Sequence, residues 1–148
     1  MATTLTATGY SDIPRAAHIG VNVLRARVTF GSTSLTLSDV ILLGHLPPVC
    51  TVLDGYIKGG VGGDGTILVK VGTSGSDANI LAATTLSVTG ALTRLSLVPV
   101  GLSLSDAAEP YKNKIIATIN SEAASLSGTV SLEVMITYAV PGAGGENL

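Results

Sequence analysis

The sequence predicts an all-β protein built as a single antiparallel β-sandwich of seven to eight strands. Apolar residues alternate with other residues at a period of two in several segments, as in strands with one buried face. Clusters of Gly, Pro, Ser and Asn separate these segments at intervals of about 8–16 residues, a spacing typical of sandwiches. A chain of 148 residues is long enough for one domain with a sizeable core and too short for two.

The strands are predicted in chain order from these signals. Residues 21–30 alternate strictly, with Leu24, Ala26 and Val28 inward and the arginines at 25 and 27 outward. Apolar runs bounded by turn residues predict strands at 39–43, 49–57 and 91–98, and shorter alternations predict strands at 66–71 and 115–119. The clearest alternation covers 129–138, where five apolar residues face one side of the strand: Val130, Leu132, Val134, Ile136 and Tyr138. These patterns indicate strands covered on one side by a second sheet.

Little helix is expected. Residues 76–83 are predicted to form one or two helical turns behind a serine cap, and residues 106–109 a further turn. In the second turn Asp106 is the expected cap, Glu109 reaches back to it, and Pro110 prevents continuation.

The two ends differ from the middle of the chain. Residues 1–18 are rich in Thr and Ala and lack sustained alternation, which predicts an irregular N-terminal arm. Residues 19–140 form the predicted sandwich domain, and the Gly-rich residues 141–148 are predicted to be a flexible C-terminal tail.

Charge is scarce: 12% of the residues are charged, where soluble domains carry roughly 25%. No basic stripe exists among the eight Lys and Arg residues, so nucleic acid is not expected as a partner. No apolar run reaches the length of a membrane span either. With 17 Thr and 14 Ser residues, we expect outward strand positions to carry hydroxyls in place of charges, which suits burial in an assembly.

No motif predicts catalysis, a metal or a cofactor. The glycine-rich residues 59–66 have the spacing of a dinucleotide-binding loop, but a strand follows where a helix is needed, so they are interpreted as a connection between two antiparallel strands. Cys50 lies in an apolar run and is interpreted as a small buried hydrophobe. His18, His45 and Cys50 lack the spacing of a zinc site, and no nucleophile elbow occurs.

Several segments together resemble a known family. They are Asp39-Val-Ile-Leu-Leu-Gly-His-Leu-Pro-Pro, Val52-Leu-Asp-Gly-Tyr-Ile, Gly65-Thr-Ile-Leu-Val-Lys-Val-Gly-Thr, Asn79-Ile-Leu-Ala-Ala-Thr, Lys114-Ile-Ile-Ala-Thr-Ile and Gly128-Thr-Val-Ser-Leu-Glu-Val-Met-Ile-Thr-Tyr. In this order they resemble the head decoration, or cement, proteins of tailed bacteriophages, over roughly residues 20–140. The resemblance implies a jelly-roll-like sandwich.

The resemblance also implies a non-enzymatic protein that sits on the outer capsid surface of a virion as a homotrimer and binds the major capsid protein. An irregular arm can become ordered along a neighbouring subunit, and we assign capsid binding to Tyr10, Asp12, Arg15 and His18 in the arm. The N-terminus has no basic region followed by an apolar one, which predicts synthesis in the host cytoplasm.

One alternative stays open at this point. A sandwich of this kind also fits a receptor- or carbohydrate-binding module of a phage tail fibre or spike. The residues available to stack on sugar rings are Tyr10, Tyr56 and Tyr111. A hydrolase has no support beyond scattered Ser and carboxylate residues.

Overall fold

The computed structural model describes residues 4–7, 10, 20–30, 38–61, 67–86, 92–94, 100–103, 113–120 and 130–141. Within these ranges every regular element is a strand, and there are ten: β1 (Thr4–Thr6), β2 (Gly20–Phe30), β3 (Val40–Leu46), β4 (Val49–Val61), β5 (Ile67–Thr73), β6 (Ser76–Leu86), β7 (Leu92–Arg94), β8 (Val100–Ser103), β9 (Asn113–Ile119) and β10 (Val130–Val140). The all-β prediction is confirmed, with somewhat more strands than the seven to eight expected.

The strands form two sheets packed face to face. The β9 sheet has the order β1-β3-β9-β5-β6, and the β10 sheet has the order β2-β10-β4-β7, with β8 also paired to β4. Every pair is antiparallel except β1–β3, which is parallel. The chain changes sheet at each step from β2 to β5, so hydrogen-bonded neighbours such as β2 and β10 are distant in sequence.

The core lies between the inward faces of the two sheets, as the alternation predicts. Leu24, Ala26 and Val28 of β2 are buried, and so are the alternate residues of β10 from Leu132 to Tyr138. From the β9 sheet, the buried residues that pack into the same cluster include Ile41, Leu43, Val69, Val71, Ile115, Ala117 and Ile119. Burial of these aliphatic side chains is the main force that holds the sheets together.

The predicted helical turn at residues 76–83 is wrong, because this segment is part of strand β6. A two-residue turn at Ser74 and Gly75 reverses the chain after β5, and Thr73 then pairs with Ser76. Two register shifts in the β5–β6 pair let the adjacent residues Ile80 and Leu81 both enter the core. This bulged geometry breaks the period of two that marks other strands. The turn predicted at residues 106–109 lies outside the described residues.

The predicted role of the glycine-rich segment is also corrected. Strand β4 runs through Gly59 and Gly60 to Val61, where these residues pair with β10. Glycine is unfavourable inside a strand, but the ladder to β10 extends the strand past the point that propensity predicts. Because β4 and β5 belong to different sheets, the residues between them join the two sheets and not two paired strands.

Two predicted boundaries differ from the structure in smaller ways. Thr4–Thr6, inside the predicted irregular arm, form strand β1 along β3. Of the strand predicted at 91–98, the described part is Leu92–Arg94. The arm, sandwich and tail boundaries otherwise stay predictions.

Candidate interaction surfaces

The outer face of the β10 sheet carries a concentration of charge. Arg25 and Arg27 of β2, Glu133 of β10, Asp54 and Lys58 of β4 and Arg94 of β7 all lie on this face, which we call the charged face. Four of these side chains are cations and two are anions. The charged face is therefore net positive, although the whole chain has a net charge of −2.

Cross-strand pairs organise the charged face. A guanidinium nitrogen of Arg25 lies 3.2 Å from a Glu133 carboxylate oxygen, and the Tyr56 hydroxyl donates to the other oxygen at 3.4 Å. Arg94 contacts Asp54 at 2.7 Å. The hydrogen bond from Arg25 lowers the pKa of Glu133, and the one from Arg94 lowers the pKa of Asp54. Both carboxylates are thus held in their charged form.

The outer face of the β9 sheet is different in chemistry. It carries threonine and aliphatic side chains, which we call the neutral face: Thr4, Thr6, Val40, Leu42, Leu68, Ile116 and Thr118. Thr4 and Thr6 at the β1 edge are exposed, whereas Ile116 and Thr118 at the centre of the sheet are already buried. Two lysines also lie on this side: Lys70, which is neutralised by Asp77 with nitrogen and oxygen 2.6 Å apart, and the half-buried Lys114, which pairs across the strands with His45. The expectation that hydroxyls replace charges at outward positions holds for the neutral face and is wrong for the charged face.

A shallow depression of about 570 Å³ opens on the neutral face. Val40, Ile116, Thr118 and the Lys70–Asp77 pair contribute to its walls. The Thr118 side-chain oxygen is buried and makes no hydrogen bond to any residue that the structure describes. Ser38, Ser74, Ser76 and Asn120 complete a lining that is more polar than apolar, so the depression is not an apolar docking pocket.

Of the four residues predicted to bind a capsid, the structure describes only Tyr10. Its backbone N–H donates to the Ala7 carbonyl at 3.0 Å, and its ring lies 5.4 Å from the His45 ring, centre to centre. His45 is fully buried and lies on the outer side of β3. Tyr10 is therefore half-buried against the β9 sheet, on the same side as the neutral face. Asp12, Arg15 and His18 lie outside the described residues.

Other candidate residues have structural roles. Cys50 is 2% exposed, and burial raises the pKa of its thiol to about 11, which confirms its interpretation as a buried hydrophobe. Tyr56 is half-buried, and its hydroxyl donates to Glu133. Tyr111 lies outside the described ranges.

The described part of the chain contains neither a metal-binding cluster nor a helix that could span a membrane. No group of three or more His, Cys, Asp and Glu side chains there is arranged to hold a metal ion. The same residues include no helix long and apolar enough to cross a membrane.

Sequence reasoning did not find the charged face as a unit. Arg25 and Glu133 are 108 residues apart, and only the pairing of β2 with β10 brings them together. The individual outward positions at 25, 27 and 133 are visible in the alternation. Their register across strands is not, because it depends on long-range packing.

No protein-family model matches the sequence, and no curated protein matches it. Solved structures that contain chains of similar fold include three phage capsids. A chain from the cyanophage Pam1 capsid asymmetric unit has a TM-score of 0.67 and 20% identity, covering 90% of this chain and 96% of that chain. A chain from the capsid of Ralstonia phage GP4 has a TM-score of 0.63 and 16% identity, covering 96% of this chain and 100% of that chain.

The third structure is the acid-stable capsid of the Helicobacter pylori bacteriophage KHP30. Its similar chain gives a TM-score of 0.52 and 15% identity, covering 86% of this chain and 92% of that chain. The coverage is high in both directions in all three cases. The chain therefore shares the fold of whole chains found in three phage capsid structures.

Proposed function

We propose that this chain is a structural virion protein that decorates and stabilises a phage capsid. In this proposal it binds the outer face of the major-capsid lattice as a homotrimer and has no enzymatic activity. The observation that carries the proposal is the fold that this chain shares with chains from three phage capsids. The similarity covers most of this chain and nearly all of each compared chain. Fold alone does not define function, so the surfaces supply the second line of support.

The strand order supports assignment of the sandwich as a jelly roll. Strands β2-β10-β4-β8 face strands β3-β9-β5-β6, and the chain passes between the sheets in the nested way of two Greek keys. Such a sandwich is a rigid wall with two usable outer faces. This shape fits a protein that reinforces a shell by contact alone.

The neutral face is the side that we assign to the capsid lattice. Its exposed threonines and half-buried aliphatic side chains lose little on removal from water when paired with a similar surface. Tyr10, the described member of the four arm residues assigned to capsid binding, packs on the same side of the β9 sheet. The arm and the neutral face thus support one contact surface.

Co-sedimentation with capsids that lack this protein tests the proposal. The informative variant is Thr6→Arg, which places a charge on the neutral face, and its matched control is Thr29→Arg on the outer side of β2. Both threonines are exposed strand residues. We expect Thr6→Arg to weaken capsid binding by about tenfold or more, because a buried charge without a partner costs well over ~1.4 kcal/mol. Thr29→Arg should bind like the unmodified protein.

Failure of the protein to sediment with capsids across salt and pH would refute the capsid role. Light scattering gives a separate test of the trimer, which should have three times the 14.8 kDa mass of one chain. A stable monomer at micromolar concentration would remove the trimer from the proposal. Binding to a glycan array without capsid binding would instead favour a receptor-binding module.

A further inference from the structure

The two sheets have four edges, and three of them are poor templates for another strand. Strands β1, β7 and β8 contain only three or four residues. Strand β6 is long, but its pairing with β5 shifts register twice. Short and bulged edge strands are the usual means by which proteins avoid edge-to-edge association.

The fourth edge, strand β2, lacks these protections. It pairs with β10 through eleven consecutive residues with no register shift. No described strand lies on its other side. In an antiparallel ladder every second residue directs its N–H and C=O groups away from the partner strand. Strand β2 therefore presents a long, regular row of backbone donors and acceptors.

The outward side chains of β2 give this edge a specific chemical pattern. Val21 is 66% exposed and Val23 is 48% exposed, and the next two outward residues are Arg25 and Arg27. Arg27 forms none of the ion pairs found within the described residues, and the side chain of Arg25 is 66% exposed despite its contact with Glu133. One half of the edge is apolar and the other half is basic.

We propose that β2 accepts an added antiparallel strand from a partner protein, and that this strand carries two carboxylates and then two apolar residues at alternate positions. The carboxylates lie opposite Arg27 and Arg25, and the apolar side chains lie opposite Val23 and Val21. Backbone hydrogen bonds supply affinity and the alternate side chains supply specificity. The antiparallel direction continues the pattern of the β10 sheet.

A second copy of this chain fits the same edge less well. Full overlap of two antiparallel β2 strands is centred on Arg25, so each Arg25 lies directly opposite its counterpart. Like charges in that position destabilise a strand pair. An acidic strand instead complements the net positive charged face that begins at β2.

This inference does not depend on the capsid role, because it concerns any acidic extended segment. The test uses the full-length protein and a fluorescein-labelled peptide, Thr-Glu-Thr-Glu-Thr-Val-Thr-Val-Thr, followed by fluorescence anisotropy. Four control peptides are a version with Lys in place of Glu, the reversed sequence, and two versions N-methylated at one or the other set of alternate residues. N-methylation removes backbone donors and leaves the charges unchanged.

The variant Arg27→Glu should weaken binding of the Glu peptide by about tenfold or more, as expected when a close charge pair becomes repulsive. Lys58→Glu is the matched control, because Lys58 is an exposed cation in the same cross-strand row, two strands away from the edge. It should change affinity less than about threefold, since screening weakens exposed charges at that distance. The Lys peptide should regain affinity for the double variant Arg25→Glu, Arg27→Glu.

Four results would each overturn the proposal. The first is absence of binding by the Glu peptide, and the second is equal binding by peptides N-methylated at either set of alternate residues. The third is an equal loss from Lys58→Glu, which would mean unspecific attraction to the charged face. The fourth is a change in the molecular mass in solution, measured without peptide, when Arg27 is replaced by Glu. This result would assign the edge to a second copy of the chain and reject the partner strand.

Discussion

Substitution of Gly72 by alanine gives a direct test of the backbone arrangement in the β5–β6 hairpin. Gly72 lies in β5 at the second register shift of this pair, between Val71 and Thr73, and the chain returns closely over it at Ser76–Ala78. A Cβ atom at position 72 would overlap the Ser76 carbonyl oxygen and would lie 2.7 Å from the Ala78 backbone nitrogen. These are backbone atoms, so no side chain can rotate away to make room.

The loss of folding stability expected for Gly72→Ala follows from this geometry. Added atoms in a well-packed site destabilise by about 1–3 kcal/mol, and we expect about 3 kcal/mol here because a strand must move. For a chain of this size, that loss lowers Tm by roughly 6–12 °C, at about 2–4 °C per kcal/mol. The hairpin contributes Ile80 and Leu81 to the core, so its displacement affects the whole sandwich.

Urea denaturation at one fixed protein concentration measures the effect, with Gly101→Ala as the control. A Cβ atom at Gly101 meets nothing within 4 Å, and a tolerated Gly→Ala change stabilises by about 0.4–1 kcal/mol. The midpoint should fall for Gly72→Ala and stay or rise for Gly101→Ala. If Gly72→Ala matched the unmodified protein within about 0.5 kcal/mol, the close approach of β6 to Gly72 would be refuted.

Three further predictions concern the core and the charged face. The buried Asn113 amide donates to the Pro47 and Pro48 carbonyls at 2.7 and 3.0 Å. Asn113→Ala should therefore lower the free energy of unfolding, measured in urea titrations, by about 1–3 kcal/mol. An unchanged urea midpoint would contradict this prediction. With a pKa of about 11, the Cys50 thiol is about one part in a thousand thiolate at pH 8. A thiol reagent should therefore label Cys50 only after the protein unfolds. Rapid labelling of the folded protein would contradict the burial of Cys50. The hydrogen bond from Arg25 is the main cause of the lowered pKa of Glu133. Any stability from this shift is present above the pKa of Glu in the unfolded chain. It is lost as the pH falls through the lower pKa of Glu133 in the folded protein. In NMR titrations Arg25→Ala should therefore raise the Glu133 midpoint towards about 4.3, and an unmoved midpoint would show that Arg25 does not hold the carboxylate.

The alternation in the sequence predicts β2 and β10 well because each of these strands has one face in the core and no bulge between them. Residues such as Leu24 and Val134 then repeat every second position without interruption. The alternation does not predict strand β6, because Ile80 and Leu81 are adjacent and both buried. A bulge is required to place both inside, and nothing in the local sequence marks a bulge.

The candidate surfaces depend on a different kind of information. A single strand shows which side chains share a face, and the outward positions of Arg25 and Arg27 are predictable in this way. The neighbours of Glu133 are not predictable, because Tyr56 and Arg25 reach it from strands far away in sequence. Strand register is determined by packing of the whole sandwich, so a cluster of charges across three strands becomes visible only in the structure.

If the chain binds a capsid lattice as proposed, the distribution of charge over its two outer faces favours one orientation. Charged side chains are expensive to bury without matched partners, whereas threonine and aliphatic side chains are not. A sandwich that places one face on a lattice therefore loses less free energy if that face is the neutral one. The charged face then remains open to solvent, and the basic half of the β2 edge stays accessible at its margin. One orientation thus accommodates both proposals, since the lattice and an acidic strand would occupy different sides of the molecule.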